Sequence, residues 1–358
     1  MGKRMNRKLT VLTCVYNGLP YLRDAIESTL NQTYKDFEYL IIDDCSPDKN
    51  VIKVIESYDD PRIRLIKNEE NLGVSNTINK ALSLIYTPYV IRLDQDDVSL
   101  PNRLESQLAF MEKHPDIDVS CTWEHTIDSS GNKQRDWKRI LGNYGEFLGY
   151  VLTGICPIWH PSLAFKKDAL VNVGGFKKEY TRAEDFEVTT RLALKRFNAA
   201  VVPEFLLLQR QHEASQSKKF EKLQYEATQR IHVEALKYFS NHKAIDLLAV
   251  YLRLEEWPIG HGFNKENFHL ICEALDDLYL RISEKQNLSK DEMKSLKKRI
   301  NKRVGYAINY HRIIIKLPSI LFKLAYYFLS PYQLKSFRSF VAKVYHKTFS
   351  LKYIFRNS

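Results

Sequence analysis

The sequence predicts an α/β chain, with a mostly parallel sheet covered by helices on both faces and a helical region after it. Three observations carry that prediction. Short apolar, β-branched runs alternate with helix-spaced segments as far as Leu208. Most of the early runs stop on an acidic or amide residue. Beyond Ser217 the strand signal gives way to helical periodicity and a strong basic excess. Strand–helix alternation with connections of this length is the signature of a parallel sheet buried on both faces.

Leu9–Val15 (LTVLTCV) reads as the first strand, closed by the turn pair Asn17-Gly18. Tyr21–Leu30 places Leu22, Ile26 and Leu30 on one helical face. Phe37–Ile42 is the second strand, stopping at Asp43-Asp44; Val51–Tyr58 is a helix, and Ile63–Lys67 is a strand that ends before Asn71. Ser75–Ile85 is helical, and Tyr89–Leu93 is a strand ending at Asp94. A helix runs from Pro101 to Met111. Val119–Gln134 reads as a hairpin turning at Ser129-Ser130-Gly131, and Leu163–Phe165 as a strand. Gly174-Gly175 marks a turn, Glu184-Asp185 opens a helix reaching Phe197, and Ala200–Leu208 is the last strand. Four helices follow, at Phe220–Asn241, Ala244–Leu254, Asn264–Ile282 and Ser289–Ile315.

Charge divides the chain in the same place. Of its 54 Lys and Arg and 43 Asp and Glu, 28 and 30 lie no further than Ser215, so the remainder holds 26 basic and 13 acidic residues. No acid follows Glu292. The expected organisation is a catalytic domain over 1–217 and a basic, mainly helical region over 218–358. The five cysteines are scattered, with no C-x-x-C pair, which argues against a secreted disulfide framework. The basic N-terminus has too short an apolar run for a signal peptide, and position 6 is Asn where myristoylation expects Ser or Thr. A cytoplasmic protein is the expectation.

Ligands of open α/β sheets bind beyond the carboxyl ends of the strands, at a switch in strand order. Tyr16-Asn17, Asp43-Asp44, Asn71 and Asp94–Asp97 all lie at such ends and should converge on one crevice. The acids of Asp94-Gln95-Asp96-Asp97 could merely solvate a turn. Converging in one loop, they repel one another, and a divalent cation relieves that repulsion. Oxygen ligands of this kind suit Mg²⁺ or Mn²⁺, which also bridge phosphate oxygens.

The ordered set YNG (Tyr16–Gly18), IIDDCSPD (Ile41–Asp48), NLGVSNTIN (Asn71–Asn79), IRLDQDD (Ile91–Asp97), HPS (His160–Ser162), VGGF (Val173–Phe176) and AED (Ala183–Asp185) resembles the family 2 glycosyltransferases over residues 9–217. That resemblance implies the GT-A fold, a nucleotide-binding αβα sandwich, and inverting transfer of a sugar from a nucleotide-sugar donor, commonly a UDP-sugar. By the resemblance, Asp44 contacts the nucleotide base, Tyr16 packs near it, and Asn71 and Gly73 lie along the nucleotide. Arg92 precedes the D-x-D. Asp94 leans towards the ribose or a metal water, and Asp96 holds Mn²⁺ or Mg²⁺. Asp185 resembles the general base that takes the acceptor proton, with Glu184 beside it; read alone, the pair could simply favour a helix N-terminus.

The ending LQRQHEASQS (Leu208–Ser217) resembles a family pattern in which Tyr is common where Gln209 stands. There Arg210 would neutralise phosphate charge and His212 would cap the site or reach the metal. His160 would contact the acceptor side. Both histidines could equally be structural hydrogen-bonders. The Gln–Arg–x–x–Arg–Trp motif of processive members is absent, which argues against a polysaccharide synthase.

The segments Ile313–Leu334 and Phe337–Phe355 interleave Lys and Arg with Phe, Tyr, Leu and Ile. Lys316, Pro318 and Lys323 break the apolar run, so an interfacial element is expected rather than a span. Contact with an anionic membrane surface would suit a glycan or lipid-linked acceptor, and the enzyme would lie peripherally on the cytoplasmic face. Simple packing of these helices on the catalytic domain is the alternative. No nucleic-acid motif accompanies the basic stretch. Two other functions compete: a sugar-nucleotide pyrophosphorylase, which would need a Gly-rich phosphate loop that Tyr16-Asn17-Gly18 does not supply, and a non-catalytic membrane scaffold.

Overall fold

A computed structural model describes residues 7–180, 182–212, 220–252 and 265–316. The first half runs β1 (Leu9–Val15), α1 (Leu19–Leu30), β2 (Phe37–Asp43), α2 (Asn50–Glu56), β3 (Ile63–Lys67), α3 (Gly73–Leu84), β4 (Tyr89–Arg92), β5 (Val98–Ser99) and α4 (Arg103–Lys113). It continues with β6 (Val119–Ile127), β7 (Lys133–Trp137), α5 (Tyr144–Val151), β8 (Ala164–Lys166), α6 (Lys167–Asn172), α7 (Glu184–Leu194) and β9 (Ala199–Arg210). The nine strands form one sheet in the order β3-β2-β1-β4-β8-β6-β9-β5, with β7 paired to β6. β3, β2, β1 and β4 are mutually parallel, as are β6 and β9. β8 is inserted antiparallel between β4 and β6.

Alternation along β1 shows why the sheet is a sandwich. Leu9, Val11 and Val15 pack with Leu22 and Ile26 of α1 on one face, while Leu12 packs with Ile78 and Ala81 of α3 on the other. A period of two in side-chain direction sends alternate residues of a buried strand into opposite layers. The chain therefore has the α/β GT-A-type architecture expected, with a helical region after it. Observed boundaries lie within a few residues of the expected ones.

Three elements escaped the sequence reading: the short α6, β5 and α5. β5 is only two residues long and pairs with β9. α5 (YGEFLGYV) carries two glycines, which weaken its helical signal. Asn143 caps it, its side chain accepting from the Glu146 N–H at 3.0 Å. The glycines serve close packing: a Cβ on Gly145 would sit 1.9 Å from the Glu292 carbonyl oxygen, and one on Gly149 would lie 3.0 Å from Arg299 Cβ.

Those contacts belong to the C-terminal helices, Glu221–Phe239, Ile245–Leu252, Lys265–Gln286 and Lys290–Lys316. Their buried Leu236, Leu248, Leu278 and Leu296 join Phe147, Leu148 and Val188 in one hydrophobic core. The described part of the basic region thus packs on the α5–α7 face. Nearly all of Ile313–Leu334, and the whole of Phe337–Phe355, lie outside the described residues. Among the described residues, no helix is long and apolar enough to cross a membrane.

Candidate active site

The strand order reverses at β1, whose neighbours β2 and β4 lead in opposite directions. The carboxyl ends of β1, β2 and β4 open into a cavity of about 410 Å³ lined by Tyr16, Asp44, Asn71, Gly73, Arg92, Asp94, Asp96, His160, Glu184 and Arg210, among others. A second cavity of about 400 Å³ adjoins it and holds Asp185. Asp94, His160, Pro161, Arg182, Glu184 and Gln209 line both, so the two are lobes of one crevice.

Arg92 ends β4 and is buried. One guanidinium nitrogen donates to Asp94 Oδ1 at 2.5 Å and the other faces His160 Nδ1 at 2.5 Å. Arginine is a permanent donor, so His160 Nδ1 accepts and Nε2 carries the ring proton. Burial and the Arg92 charge hold His160 well below its usual pKa, which makes it a neutral imidazole. Its buried Nε2 has no hydrogen-bond partner among the described residues.

Asp96, Asp97 and Arg210 form another wall. Asp97 Oδ1 accepts from the Arg210 backbone N–H at 2.8 Å, and Arg210 Nε donates to the Asp96 carbonyl at 3.0 Å. The Arg210 guanidinium also reaches Asp24 at 2.9 Å and lies over the Tyr21 ring. It is therefore engaged in tying the end of β9 to the acidic loop. His212 Nε2 lies 2.9 Å from Asp96 Oδ2. Burial, then the Asp94 charge, raises the pKa of Asp96, and burial with both neighbouring carboxylates raises that of Asp97 well above normal. Gln95 clasps the Tyr16 backbone, accepting its N–H at 2.8 Å and donating to its carbonyl at 3.1 Å. The Tyr16 ring is left exposed at the rim.

Asp44 is buried and fully engaged. Its carboxylate accepts from Asn68 Nδ2 at 2.7 Å, from the Leu72 N–H at 2.9 Å and from the Gly73 N–H at 2.8 Å. It holds the loop carrying Asn71 and Gly73 against the end of β2, satisfying the first donors of α3 as an anion at a helix N-terminus should. The VGGF segment is anchored by Asn79, whose amide exchanges two hydrogen bonds with the Phe176 backbone at 2.7 and 2.8 Å. Gly175 has a φ of 68°, and a Cβ there would meet Asn79 Oδ1 at 2.3 Å, so both conformation and space exclude a side chain. Phe176 in turn lies against the His160 ring, at 5.6 Å between centroids.

Asp185 is in the first turn of α7. One oxygen accepts from the Phe186 N–H at 2.7 Å. Burial, with Glu184 adding its negative charge, raises its pKa to about 6.

Among the described residues, no three His, Cys, Asp or Glu side chains are grouped as a ready-made metal site. The donors present nonetheless fit a divalent cation. Asp96 and His212 already touch, and Asp96 sits where burial and Asp94 disfavour its bare charge. Two protein donors leave most of an octahedral shell for waters and substrate phosphates, the usual habit of Mg²⁺ sites. Asp94 is turned towards Arg92 and shares the same cavity.

Several contributors gave no signal in the sequence. Arg103 is fully buried within α4 and donates to the carbonyls of Arg92 at 2.6 Å and Pro161 at 3.2 Å, locking the D-x-D strand to the His-Pro-Ser turn. A lone Arg in an amphipathic helix reads as solvent-facing. Glu124 of β6 is buried with neither carboxylate oxygen partnered among the described residues, and burial pushes its pKa to about 8. Arg139 lines the second lobe from a segment without a motif of its own, and Arg182 does so from the position just before Ala-Glu-Asp.

Comparison with known proteins accords with this architecture. A family model described as Glycosyl transferase family 2 matches residues 10–173. An uncharacterized glycosyltransferase of Methanocaldococcus jannaschii is 33% identical over 249 residues, covering 68% of this chain and 85% of that protein. A UDP-Gal:α-D-GlcNAc-diphosphoundecaprenol β-1,3-galactosyltransferase of Escherichia coli is 30% identical over 178 residues, covering 48% of this chain and 63% of that protein. The crystal structure of S. aureus TarS 1–349 in complex with UDP-GlcNAc superposes with a TM-score of 0.54 at 19% identity, covering 86% of this chain and 90% of that one.

Proposed function

Because the chain belongs to the family 2 glycosyltransferases, enzymes acting on nucleotide sugars, we propose that it catalyses metal-dependent, inverting transfer of a sugar from a UDP-sugar to a glycan or lipid-linked acceptor in surface-polysaccharide synthesis. Membership of that family sets aside the pyrophosphorylase and scaffold readings. One observation carries the proposal: Asp96, with His212 against it, and Asp185 lie in adjoining lobes of a single crevice. A cation and diphosphate in one lobe would then face a base in the other.

In this reading Tyr16, Asn71 and the Asp44-held loop cradle the nucleotide. Asp96 and His212 hold Mn²⁺ or Mg²⁺, with Asp94 beside them. When bound, the cation neutralises the charge that builds on the leaving diphosphate. Asp185 accepts the proton of the acceptor hydroxyl as its oxygen bonds to the sugar C1. The C1–O bond to the diphosphate breaks on the opposite face, and the nucleoside diphosphate leaves with the bonding electrons. A positioned carboxylate base contributes about 10²–10⁴-fold to such a step. Neutral His160 offers an N–H where the lobes meet.

A lipid-linked acceptor matches that of the E. coli relative, which is named for a diphosphoundecaprenol-linked sugar. The 26 basic against 13 acidic residues after Ser215 would hold the enzyme peripherally at an anionic leaflet on the cytoplasmic face, each basic residue contributing on the order of 1 kcal/mol. Nucleoside diphosphate release from UDP-sugars with Mn²⁺ is the test. It should be lost in Asp96→Ala and Asp185→Ala variants that remain folded, and full activity in both would overturn the mechanism.

A further inference from the structure

The second lobe, the one that holds Asp185, has a chemical character of its own. Arg139 and Arg182 line it together with Trp159. Arg139 is half-buried, lies over the Trp159 ring at 5.2 Å, and donates one N–H to the Cys156 carbonyl. No ion pair to a carboxylate joins Arg139 among the described residues. Trp159 continues outwards to Trp137, at 4.9 Å between ring centroids, and Arg135 covers Trp137 at 3.8 Å. The result is an unbroken row, Arg139–Trp159–Trp137–Arg135, leading from the lobe to the exposed strand β7.

We propose that this lobe is a subsite for an anionic acceptor: a sugar esterified to phosphate, its ring against Trp159 and its phosphate between Arg139 and Arg182. The proposal rests on the glycosyltransferase reading of the crevice and names the acceptor class that reading leaves open. Aromatic faces offer a sugar ring large apolar contact area at low entropic cost. Guanidinium forks match phosphate oxygens in bidentate fashion. A carboxylate is filled by one such fork, whereas a phosphate has oxygens for two, and two guanidinium groups line the lobe. The lobe's acids are Asp94, which is paired with Arg92, and Glu184 and Asp185, which would repel an anion unless those cations faced it. An uncharged acceptor has no use for a half-buried Arg139 without a carboxylate partner.

Tryptophan-fluorescence titration of the full chain tests this, with UDP and Mn²⁺ saturating so that the first lobe is filled. The probes are N-acetylglucosamine 1-phosphate and a short-chain lipid diphosphate of N-acetylglucosamine, each against neutral N-acetylglucosamine. The phosphorylated sugars should bind at least about tenfold more tightly, a difference that one charge-assisted hydrogen bond can supply. Arg139→Gln and Arg182→Gln should each shrink that ratio to roughly threefold or less. The ratio is insensitive to a general loss of packing, and if one variant fails to fold the other decides. Tighter binding of the lipid diphosphate than of the free glycosyl phosphate would assign a membrane source, and equal binding a soluble one. Equal affinity for charged and neutral sugars in the wild-type chain, or a ratio unchanged in the folded variants, would overturn the proposal. A thermal-shift measurement with UDP and Mn²⁺ on the wild-type chain separates the two levels. No UDP binding there would sink the transferase reading itself, whereas UDP binding without charge preference sinks only the acceptor class.

Discussion

The proton-accepting role proposed for Asp185 makes the sharpest prediction, because its environment sets a pH at which activity should fail. Its pKa is raised to about 6, first by burial and then by the neighbouring Glu184. Only the ionised carboxylate can take a proton, so activity is lost as pH falls through that value. A group with this pKa is about 97% ionised at pH 7.5 and roughly one-tenth ionised at pH 5. kcat/KM should therefore drop about tenfold across that interval, since that ratio reports the pKa of the unliganded enzyme. Glu184→Gln keeps an oxygen for the Arg182 N–H, which the native Glu184 accepts at 2.8 Å, while removing the like charge. It should move the acid limb to lower pH. Asp185→Asn should erase the limb and lower kcat by about 10²–10⁴-fold. Nucleoside diphosphate release, followed by a coupled assay between pH 5 and 8, reads all three proteins. A flat wild-type profile, or a limb unmoved by Glu184→Gln and retained in Asp185→Asn, would refute the assignment.

Three further outcomes are expected. Gly145→Ala puts a methyl 1.9 Å from the Glu292 carbonyl oxygen, so α5 and the helix Lys290–Lys316 must separate; urea unfolding should show a loss of about 1–3 kcal/mol. Asp44→Ala leaves the Leu72 and Gly73 N–H groups and the Asn68 amide without their acceptor, costing about 1–3 kcal/mol of stability and raising KM for the donor, measured by chemical denaturation and initial rates. His212→Ala removes one of the two protein donors proposed for the cation, and Mn²⁺ affinity in the presence of UDP, read by electron paramagnetic resonance, should fall by on the order of tenfold or more.

Much of the fold was legible in the chain because the strands and helices are governed by local rules. β1 and β3 begin and end where their apolar runs do, and the acids and amides that stop the parallel strands mark the ends at which the crevice forms. The residues of the D-x-D, His-Pro-Ser and Ala-Glu-Asp segments were likewise visible in advance. Their partners were not. Nothing local tells a buried Arg103 from a solvent-facing one, and nothing in NLGVSNTIN shows that Asn79 anchors Phe176, 97 residues away.

What the sequence by itself determined is therefore the alternation, the strand ends and the chemical inventory gathered there, since these depend on side-chain periodicity and turn chemistry. Tertiary structure alone decided how that inventory is used. It turned Asp94 to Arg92 and Asp96 to His212, and it engaged Asp44 and Arg210 in holding loops. It also made Gly145 and Gly149 into a helix seam for the C-terminal region. Each of these outcomes is a contact between residues far apart along the chain, and its energy exists only once the layers have packed.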